Sequence, residues 1–219
     1  IAYVQKGGTG RLFIDGDLKV YGNIALNPSA LGATRYNYLG RSCYSGDAYL
    51  NNAKLADFRI YDGAISTEQI EQLSGITRTV YDTQLLAQFN FDMLTDQSGA
   101  YTGSLANSAA LIDCDGNPVL NLGDADGYFN LGAAFGNLVA TLDSFTISTN
   151  LYIPQTTSLT GNGNFVLTFA NSANMGSTAN GNLFFSAITS RYAISKTNYA
   201  AESGIALSKA LPKGEWINL

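Results

Sequence analysis

The stretch Phe145-Thr-Ile-Ser-Thr-Asn-Leu-Tyr-Ile153 decides the fold class, because apolar and polar side chains alternate along it. Every second residue from Phe145 to Ile153 belongs to one phase, in which only Thr149 is polar. Successive side chains of a β-strand point to opposite faces of a sheet. The alternation therefore predicts a strand with one buried face and one more polar face.

Shorter segments with the same alternation occur along the whole chain, each bounded by Gly, Asn, Asp or Ser. The clearest have an apolar residue at every second position: Leu12 and Ile14; Ala87, Phe89 and Phe91; Phe165, Leu167 and Phe169. Asp15-Gly16 has the residue types of a two-residue hairpin turn, which requires positive φ angles. Many short strands joined by turns predict an all-β fold, a sandwich of two antiparallel sheets.

One short helix is predicted at residues 67–73. Ser66 can cap its first turn, and Gln69 stands at the capping-box position. A polar stretch follows the helix before a new alternating strand begins. We therefore expect three parts along the chain: residues 1–74, a linker of residues 75–84, and residues 85–219.

The charge of the chain argues against nucleic acid as a partner. Acidic residues (17) outnumber basic residues (12), the net charge is -5, and neither sign forms a run. Proteins that follow a phosphate backbone concentrate lysine and arginine on one face. No apolar stretch approaches the roughly 20 residues that a membrane-spanning helix needs, so no membrane insertion is expected either.

The residue types argue against catalysis. The chain has no histidine, which is the usual general base of nucleophile triads and the commonest zinc ligand. Paired carboxylates, as in glycosidases, are another route to hydrolysis. The glutamates are Glu68, Glu71, Glu202 and Glu215, and the pattern places no two carboxylates on one strand face. The sequence therefore predicts a protein that is not an enzyme.

Segments on both sides of the helix resemble one domain type in reversed order. Before the helix stand Arg11-Leu-Phe-Ile-Asp-Gly16, Asn37-Tyr-Leu-Gly-Arg-Ser42 and Leu55-Ala-Asp-Phe-Arg-Ile-Tyr61. They resemble the C-terminal half of laminin-G-like domains, which belong to the concanavalin A-like superfamily of jelly-roll sandwiches. Four segments after the helix resemble the N-terminal half of the same domain type: Phe89-Asn-Phe-Asp92, Leu120-Asn-Leu-Gly123, Gly127-Tyr-Phe-Asn-Leu131 and Gly214-Glu-Trp-Ile-Asn-Leu219. The resemblance implies that residues 1–74 form the C-terminal half and residues 85–219 the N-terminal half of such a sandwich.

Because the halves are in reversed order, the two ends of the sequence correspond to neighbouring parts of the family domain. In the family, a strand beginning with Gly-x-Trp continues into a segment like residues 1–5. If residue 219 preceded residue 1, the apolar phase of residues 217–219 would continue through Ala2 and Val4, as in one cut strand. Three arrangements are open: one self-closed chain, parts of two tandem domains, or strand completion between neighbouring chains. A strand edge left unpaired would favour the third, because its free backbone groups can pair with a strand of another chain.

Two groups of residues are candidates for ligands. Family members often hold a structural Ca²⁺ near the strands that would present Asp57, Asp92 and Asp96, whose oxygens are the ligand type that calcium requires. The alternative is that these carboxylates cap turns or pair with Arg59 or Arg41. Aromatic rings beside amides and a carboxylate suit a sugar, and these are the candidate sugar-binding residues: Tyr36, Tyr38, Arg41, Tyr44, Asp47 and Tyr49. The alternative is that the rings only pack on the sandwich.

Three further expectations follow. Trp216 stands at the start of a strand that is a core strand in the family, so we expect it to be buried. Cys43 and Cys114 are the only cysteines, and both a disulfide and two free thiols are open. The resemblance implies an extracellular or cell-surface module of a larger protein that binds glycans or another surface protein without catalysis. The rival interpretation is a structural subunit of a surface filament, joined head to tail through terminal strands.

Overall fold

A computed structural model describes residues 1–74, 84–159, 162–173, 181–197 and 199–219. The first segment contains β1 (Ala2–Lys6), β2 (Thr9–Ile14), β3 (Asp17–Asn23), β4 (Tyr36–Leu39), β5 (Lys54–Asp62) and helix α1 (Thr67–Leu73). The strands that follow are β6 (Gln84–Phe89), β7 (Ser104–Ala106), β8 (Ala110–Cys114), β9 (Asn117–Asn121), β10 (Tyr128–Asn130), β11 (Phe145–Tyr152), β12 (Phe165–Ala170), β13 (Asn182–Ser186), β14 (Arg191–Ser195), β15 (Ser203–Ala206) and β16 (Trp216–Asn218). A second short helix is α2 (Phe135–Val139), and 3₁₀ turns lie at Pro28–Leu31 and Tyr199–Ala201. The predicted linker lies outside the described residues except for Gln84, which begins β6.

The described strands form two antiparallel sheets. The nine-stranded sheet has the order β3-β2-β1-β11-β5-β9-β8, with β16 also paired to β11 and β6 to β5. The seven-stranded sheet has the order β15-β14-β13-β12-β4-β10-β7. The prediction of an all-β sandwich with two antiparallel sheets is confirmed. Among the described residues, no helix is long and apolar enough to cross a membrane.

Each sheet takes strands from both segments of the chain. In the nine-stranded sheet, β11 lies between β1 and β5, and in the seven-stranded sheet β4 lies between β12 and β10. The space between the sheets is filled by side chains with no exposed surface, among them Leu39, Leu55, Phe129, Phe145 and Phe169. Long-range pairing and one shared core therefore join the two segments.

The helix and the first hairpin form as their sequences predict. The Ser66 side chain accepts a hydrogen bond from the Gln69 amide, the Gln69 side chain accepts one from the Ser66 amide, and α1 spans Thr67–Leu73. Asp15 and Gly16 have φ angles of 53° and 81°, as a tight turn between β2 and β3 requires. The helix α1 packs through Ile70 against the outer face of the nine-stranded sheet. The pattern gave no indication of α2, which is a single turn.

The first and last residues of the sequence meet on β11. Residues 145–148 of β11 pair with β1, and residues 150–152 pair with β16. Between them, the Thr149 amide lies 3.2 Å from the Ile1 carbonyl and 2.9 Å from the Leu219 carbonyl. The Thr149 carbonyl accepts from the Ile1 nitrogen at 2.9 Å and from the Leu219 amide at 2.7 Å. Both end residues therefore occupy the position opposite Thr149.

The predicted phase across this junction is wrong by one residue. Ile217 and Leu219 lie in the main core, and they are joined there by Ile1 rather than Ala2. Two residues opposite Thr149 act like a β-bulge, and a shift of one residue exchanges the faces of a strand. The apolar face is continuous, but it continues through the odd-numbered residues of β1.

The expected burial of Trp216 is also wrong. Its side chain is 44% exposed, whereas Ile217 is buried in the core. Adjacent residues of a strand face opposite sides, so the core position of Ile217 places Trp216 on the outer face of the nine-stranded sheet.

A bulge also changes the phase predicted for the strand that became β12. The register shifts between Phe165 and Leu167, and both Val166 and Leu167 lie in the core. Phe165 instead faces outward, where its ring stacks on Phe184 with centroids 4.1 Å apart. The thiols of Cys43 and Cys114 are both free.

Candidate functional site

A pocket lies on the face of the seven-stranded sheet that points away from the core. In β13, Leu183 and Phe185 belong to the core, so the Phe184 ring lies on the outer face. The bulge in β12 places Phe165 beside it. Two stacked phenylalanine rings therefore form an apolar floor where a sheet surface would otherwise meet water.

The loop between β4 and β5, residues 40–53, lies over this outer face. Cys43 of this loop is fully buried and packs against Ala170 of β12. The Ala48 carbonyl accepts from the Asn164 amide at 2.9 Å, which ties the loop to the start of β12. Gly163 has a φ of +98°, and a Cβ atom there would lie 2.6 Å from the Ala48 carbonyl oxygen. Only glycine allows this close approach, which fixes one wall of the pocket.

The pocket has a volume of about 610 Å³ and is open to solvent on one side. Its wall combines aromatic rings, hydroxyls, amides and charged groups. The lining residues are Tyr44, Ser45, Asp47, Asn162, Gly163, Phe165, Phe184, Ser186, Ile188, Thr189, Arg191, Tyr199 and Glu202. Its size falls within the range of pockets that hold a small molecule.

A carboxylate network closes one end of the pocket. The Tyr44 hydroxyl donates to Oε1 of Glu202 at 2.8 Å, and Nη2 of Arg191 lies 2.7 Å from Oε2 of the same carboxylate. The Glu202 side chain is 7% exposed. Burial, followed by the nearby Glu202 carboxylate, raises the pKa of Tyr44. Tyr44 therefore stays a neutral hydrogen-bond donor, and both oxygens of Glu202 are held by protein groups.

Asp47 is a second carboxylate in the same pocket. Its Oδ2 accepts from the Ser42 hydroxyl at 2.7 Å. Burial raises the pKa of Asp47, the Ser42 hydrogen bond lowers it, and the negative Glu202 raises it further. Unlike Glu202, Asp47 forms no ion pair within the described residues. It is therefore the carboxylate with capacity to accept hydrogen bonds from a ligand.

Tyr199 adds an exposed aromatic ring to the pocket, beside Tyr44 of the loop. The Tyr199 ring is 58% exposed and lies 6.4 Å from the Tyr44 ring, edge to face. The Arg191 guanidinium lies 5.3 Å from the centre of the Phe184 ring. A pyranose ring has an apolar face of C–H groups and a rim of hydroxyls, which match an aromatic wall beside a carboxylate and amides. The arrangement suits a small polyhydroxylated ligand.

The structure divides the predicted sugar-binding residues into two groups. Tyr44 and Asp47 line the pocket. The other four belong to a cluster that also includes Tyr128, in which the Arg41 guanidinium lies 4.8 Å from the Tyr38 ring and 5.1 Å from the Tyr128 ring. The predicted members of this cluster are Tyr36, Tyr38, Arg41 and Tyr49.

Tyr38 and Arg41 of this cluster have packing contacts, whereas Tyr36 is 38% exposed. Tyr38 is 3% exposed, and burial raises its pKa. Nη2 of Arg41 donates to the Ala173 carbonyl at 3.3 Å. The six residues were predicted as one site because they are close in sequence. They separate in the structure because the loop crosses the sheet, leaving Tyr44 and Asp47 at β12 and β13 and the rest near β4 and β10.

The predicted calcium ligands each have another contact. Asp57 forms an ion pair with Arg59, with 2.6 Å between Oδ2 and Nη2. Asp96 is 2% exposed and accepts from the Tyr101 amide at 2.8 Å. Asp92 is exposed, and its Oδ1 accepts from Nε2 of Gln97 at 3.4 Å. Within the described residues, no group of three Asp, Glu or Cys side chains could hold a metal ion. Calcium binding by these residues stays a prediction.

Several pocket residues were not predicted. The pair Phe184-Phe185 carried a signal, because two adjacent aromatic residues in a strand must face opposite sides, which leaves one ring outside the core. No local pattern marked Arg191, Tyr199 or Glu202. Their role depends on contacts with the β4–β5 loop, more than 100 residues earlier, such as the Tyr44–Glu202 hydrogen bond that spans 158 positions.

No protein-family model matches the chain, and comparisons with curated proteins and with solved structures give no match. The functional interpretation therefore depends on the pocket and on the residues that form it.

Proposed function

We propose that this chain is a non-catalytic carbohydrate-binding module and that the pocket holds a sugar. One observation carries the proposal: an exposed Tyr199 ring and a half-buried Asp47 carboxylate face the same 610 Å³ pocket. Stacking on the ring and hydrogen bonds to the carboxylate are the two interactions that sugar recognition needs.

The pocket is organised before a ligand enters. Glu202 is held by Tyr44 and Arg191, and Asp47 by Ser42. Side chains that are already fixed lose little conformational freedom on binding, so more of the interaction energy remains as affinity. This supports recognition of one sugar geometry rather than general adhesion through a flexible surface.

The carboxylates also support a binding role without catalysis. A retaining glycosidase needs a carboxylate free to attack the sugar, and an inverting one needs a carboxylate free to activate water. Both oxygens of Glu202 are engaged, by Tyr44 and by Arg191. That leaves Asp47, among the described residues, as the one pocket carboxylate with free acceptor capacity, whereas the two-carboxylate reaction needs a second.

The wider setting is part of the same proposal. We place the chain in the laminin-G-like group of concanavalin A-like sandwiches, on the basis of the sequence segments quoted above and the two-sheet architecture. Modules of that group are found in larger proteins at the cell surface or outside the cell, where they bind glycans or other surface proteins. A shared architecture is compatible with many functions, so the pocket remains the main argument.

A glycan array tests the proposal. The unaltered chain is expected to bind a defined subset of glycans, and Tyr199→Ala and Asp47→Asn are each expected to lower that signal by tenfold or more. Asp124→Asn, which removes a charge from an exposed position, is the matched control and should not change it. No signal from the unaltered chain, or equal signals from all three variants, would contradict the proposal. Release of free sugar from any bound glycan would contradict the non-catalytic part.

A second candidate function is a structural one, and the junction at Thr149 favours it. The last strand, β16, has three residues and occupies part of an edge of β11 that β1 also uses. A short strand held on a shared edge can exchange with the same strand of a neighbour, which would link copies head to tail. This candidate does not require the pocket.

A further inference from the structure

The outer face of the nine-stranded sheet exposes the single tryptophan of the chain. Trp216 is 44% exposed, and its ring lies 5.7 Å from the Tyr152 ring at an angle of 47°. Leu151 and Ile217 are buried on the core side of the same two strands. The two rings therefore lie side by side on a surface that points to solvent.

These rings belong to a row that crosses four strands. The register pairs Trp216 with Tyr152, Tyr152 with Lys54, and Lys54 with Asn121. Nζ of Lys54 lies 5.3 Å from the centre of the Tyr152 ring. Neighbouring strands are about 4.8 Å apart, so the row presents one side chain at each such step.

An amide pair lies in the next row. Nδ2 of Asn218 donates to Oδ1 of Asn150 at 2.8 Å. Asn218 and Asn150 stand opposite each other in the register, two residues from Trp216 and Tyr152. The asparagine pair therefore lies beside the two rings, in the next row, and Lys54 follows Tyr152 along the row itself.

We propose that this row, Trp216, Tyr152, Lys54 and Asn121, is a second glycan-binding surface that takes an extended, neutral, β-1,4-linked polysaccharide chain. Such a chain is a flat ribbon, and its repeat along the chain is similar to the distance between neighbouring strands. One sugar face stacks on Trp216 and the next on Tyr152. The hydroxyls at the edge of the ribbon reach Lys54 and the asparagine amides.

The small size of the apolar surface favours a polysaccharide over a protein partner. A stable protein interface buries about 800 Å² on each side, whereas an aromatic residue contributes about 150–250 Å² even when fully covered. Two partly exposed rings with polar neighbours fall well below that area. The net charge of -5 opposes a polyanionic chain, and Lys54 is the single charged side chain in the row.

This surface is separate from the pocket. The row lies on the outer face of the nine-stranded sheet, and the pocket lies on the outer face of the seven-stranded sheet, with the core between them. The two sites can therefore be tested one at a time. Binding at Trp216 does not depend on whether the pocket takes a sugar.

Tryptophan fluorescence gives a direct test, because Trp216 is the only tryptophan. The full chain is titrated with cellohexaose and, separately, with laminarihexaose. We expect a saturable shift of the emission maximum to shorter wavelength with cellohexaose, whose β-1,4 linkages make it a flat ribbon, and no shift with laminarihexaose, whose β-1,3 linkages make it helical. Tyr152→Ala should weaken the apparent affinity by tenfold or more, and Lys54→Met serves as a second variant if Tyr152→Ala does not fold.

Two controls separate this surface from the rest of the molecule. Tyr21→Ala removes a ring that is 71% exposed on β3, and it should leave the titration unchanged. Asp47→Asn alters the pocket and should leave the emission response unchanged as well. An emission spectrum that cellohexaose does not alter, or equal affinities for the row variant and Tyr21→Ala, would overturn this proposal without affecting the pocket.

Discussion

The Tyr44 hydroxyl donates to Oε1 of Glu202 at 2.8 Å, across 158 positions of the sequence. This hydrogen bond connects the β4–β5 loop to the residue that precedes β15. Arg191 holds the other oxygen of the same carboxylate. The contact closes one end of the pocket and fixes the position of the loop that carries Asp47.

Replacing Tyr44 should therefore destabilise the fold. Tyr44→Phe removes a donor from a nearly buried carboxylate, and a hydrogen bond to a charged group contributes about 1.5–3 kcal/mol. We expect a loss of that size in the free energy of unfolding, measured by urea denaturation. Tyr21→Phe, at an exposed position, is the matched control and should change it little. Equal stabilities for the two variants would mean that the Tyr44–Glu202 contact does not hold the loop.

Stability should fall in alkaline solution because of two buried tyrosines. Tyr3 and Tyr192 stack with centroids 3.7 Å apart, and burial is the main cause that raises the pKa of each in the folded state. In the unfolded chain both ionise near pH 10, so above that pH the unfolded state binds fewer protons than the folded state. Below about pH 10, the two tyrosines contribute fully to the free energy of unfolding. Above that pH, the free energy of unfolding falls by about 1.4 kcal/mol per tyrosine for each pH unit.

Urea denaturation between pH 8 and 11 checks this dependence. Above pH 10, the free energy of unfolding should fall less steeply with pH in Tyr192→Phe, because one of the two buried tyrosines is gone. Tyr21→Phe should leave this pH dependence unchanged. Burial also raises the pKa of the Cys43 thiol, to about 12. A cysteine in the unfolded chain has a pKa of about 8.5, so the free energy of unfolding should begin a weaker decline near that pH. A free energy of unfolding that stays constant to pH 11 would contradict the burial of these groups.

Features set by neighbours in the sequence could be predicted. The helix α1 begins where Ser66 and Gln69 form a capping box, and the hairpin turns at Asp15 and Gly16. The alternation from Phe145 to Ile153 placed the core face of β11 correctly. In each case the determining contacts lie within a few residues, so the pattern contains the information.

Features set by distant partners could not. The bulge at Phe165 and the junction opposite Thr149 each shift a strand phase by one residue, and neither leaves a mark in the alternation. Glu202 closes one end of the pocket only because it forms a hydrogen bond with Tyr44 and an ion pair with Arg191. Of the six residues predicted to bind a sugar, Tyr44 and Asp47 line the pocket, and sugar binding by them stays a prediction. Glu202, Phe165, Phe184 and Tyr199, which also line it, were not among the six.

Calcium binding by Asp57, Asp92 and Asp96 predicts a response to chelator. A ligand present at about 100 times its dissociation constant stabilises the folded state by about 2.7 kcal/mol. We therefore expect calcium to raise the melting temperature and EDTA to lower it, with the effect abolished in Asp92→Asn. A melting temperature that is the same with calcium and with EDTA would exclude a structural calcium ion. In that case, Asp57 and Asp96 would have only the structural roles that their contacts with Arg59 and Tyr101 give them.

The junction at Thr149 predicts the oligomeric state. If β1 and β16 both add to β11 of their own chain, residues 1–219 should elute with the mass of one chain in size-exclusion chromatography with light scattering. Masses that increase with concentration would instead favour strand exchange and the filament function. Ile217→Asp introduces a charge into the core side of β16, and it should weaken either arrangement.

The affinity of Asp47→Asn for the glycan with the strongest array signal tests the proposed sugar pocket most directly. Asn keeps the size of Asp but removes the charge, and a hydrogen bond from a sugar hydroxyl to a carboxylate is stronger than one to an amide. By isothermal titration calorimetry, the dissociation constant should rise at least tenfold in Asp47→Asn and stay within twofold in Asp124→Asn. Equal dissociation constants for the unaltered chain and Asp47→Asn would contradict the proposed sugar pocket.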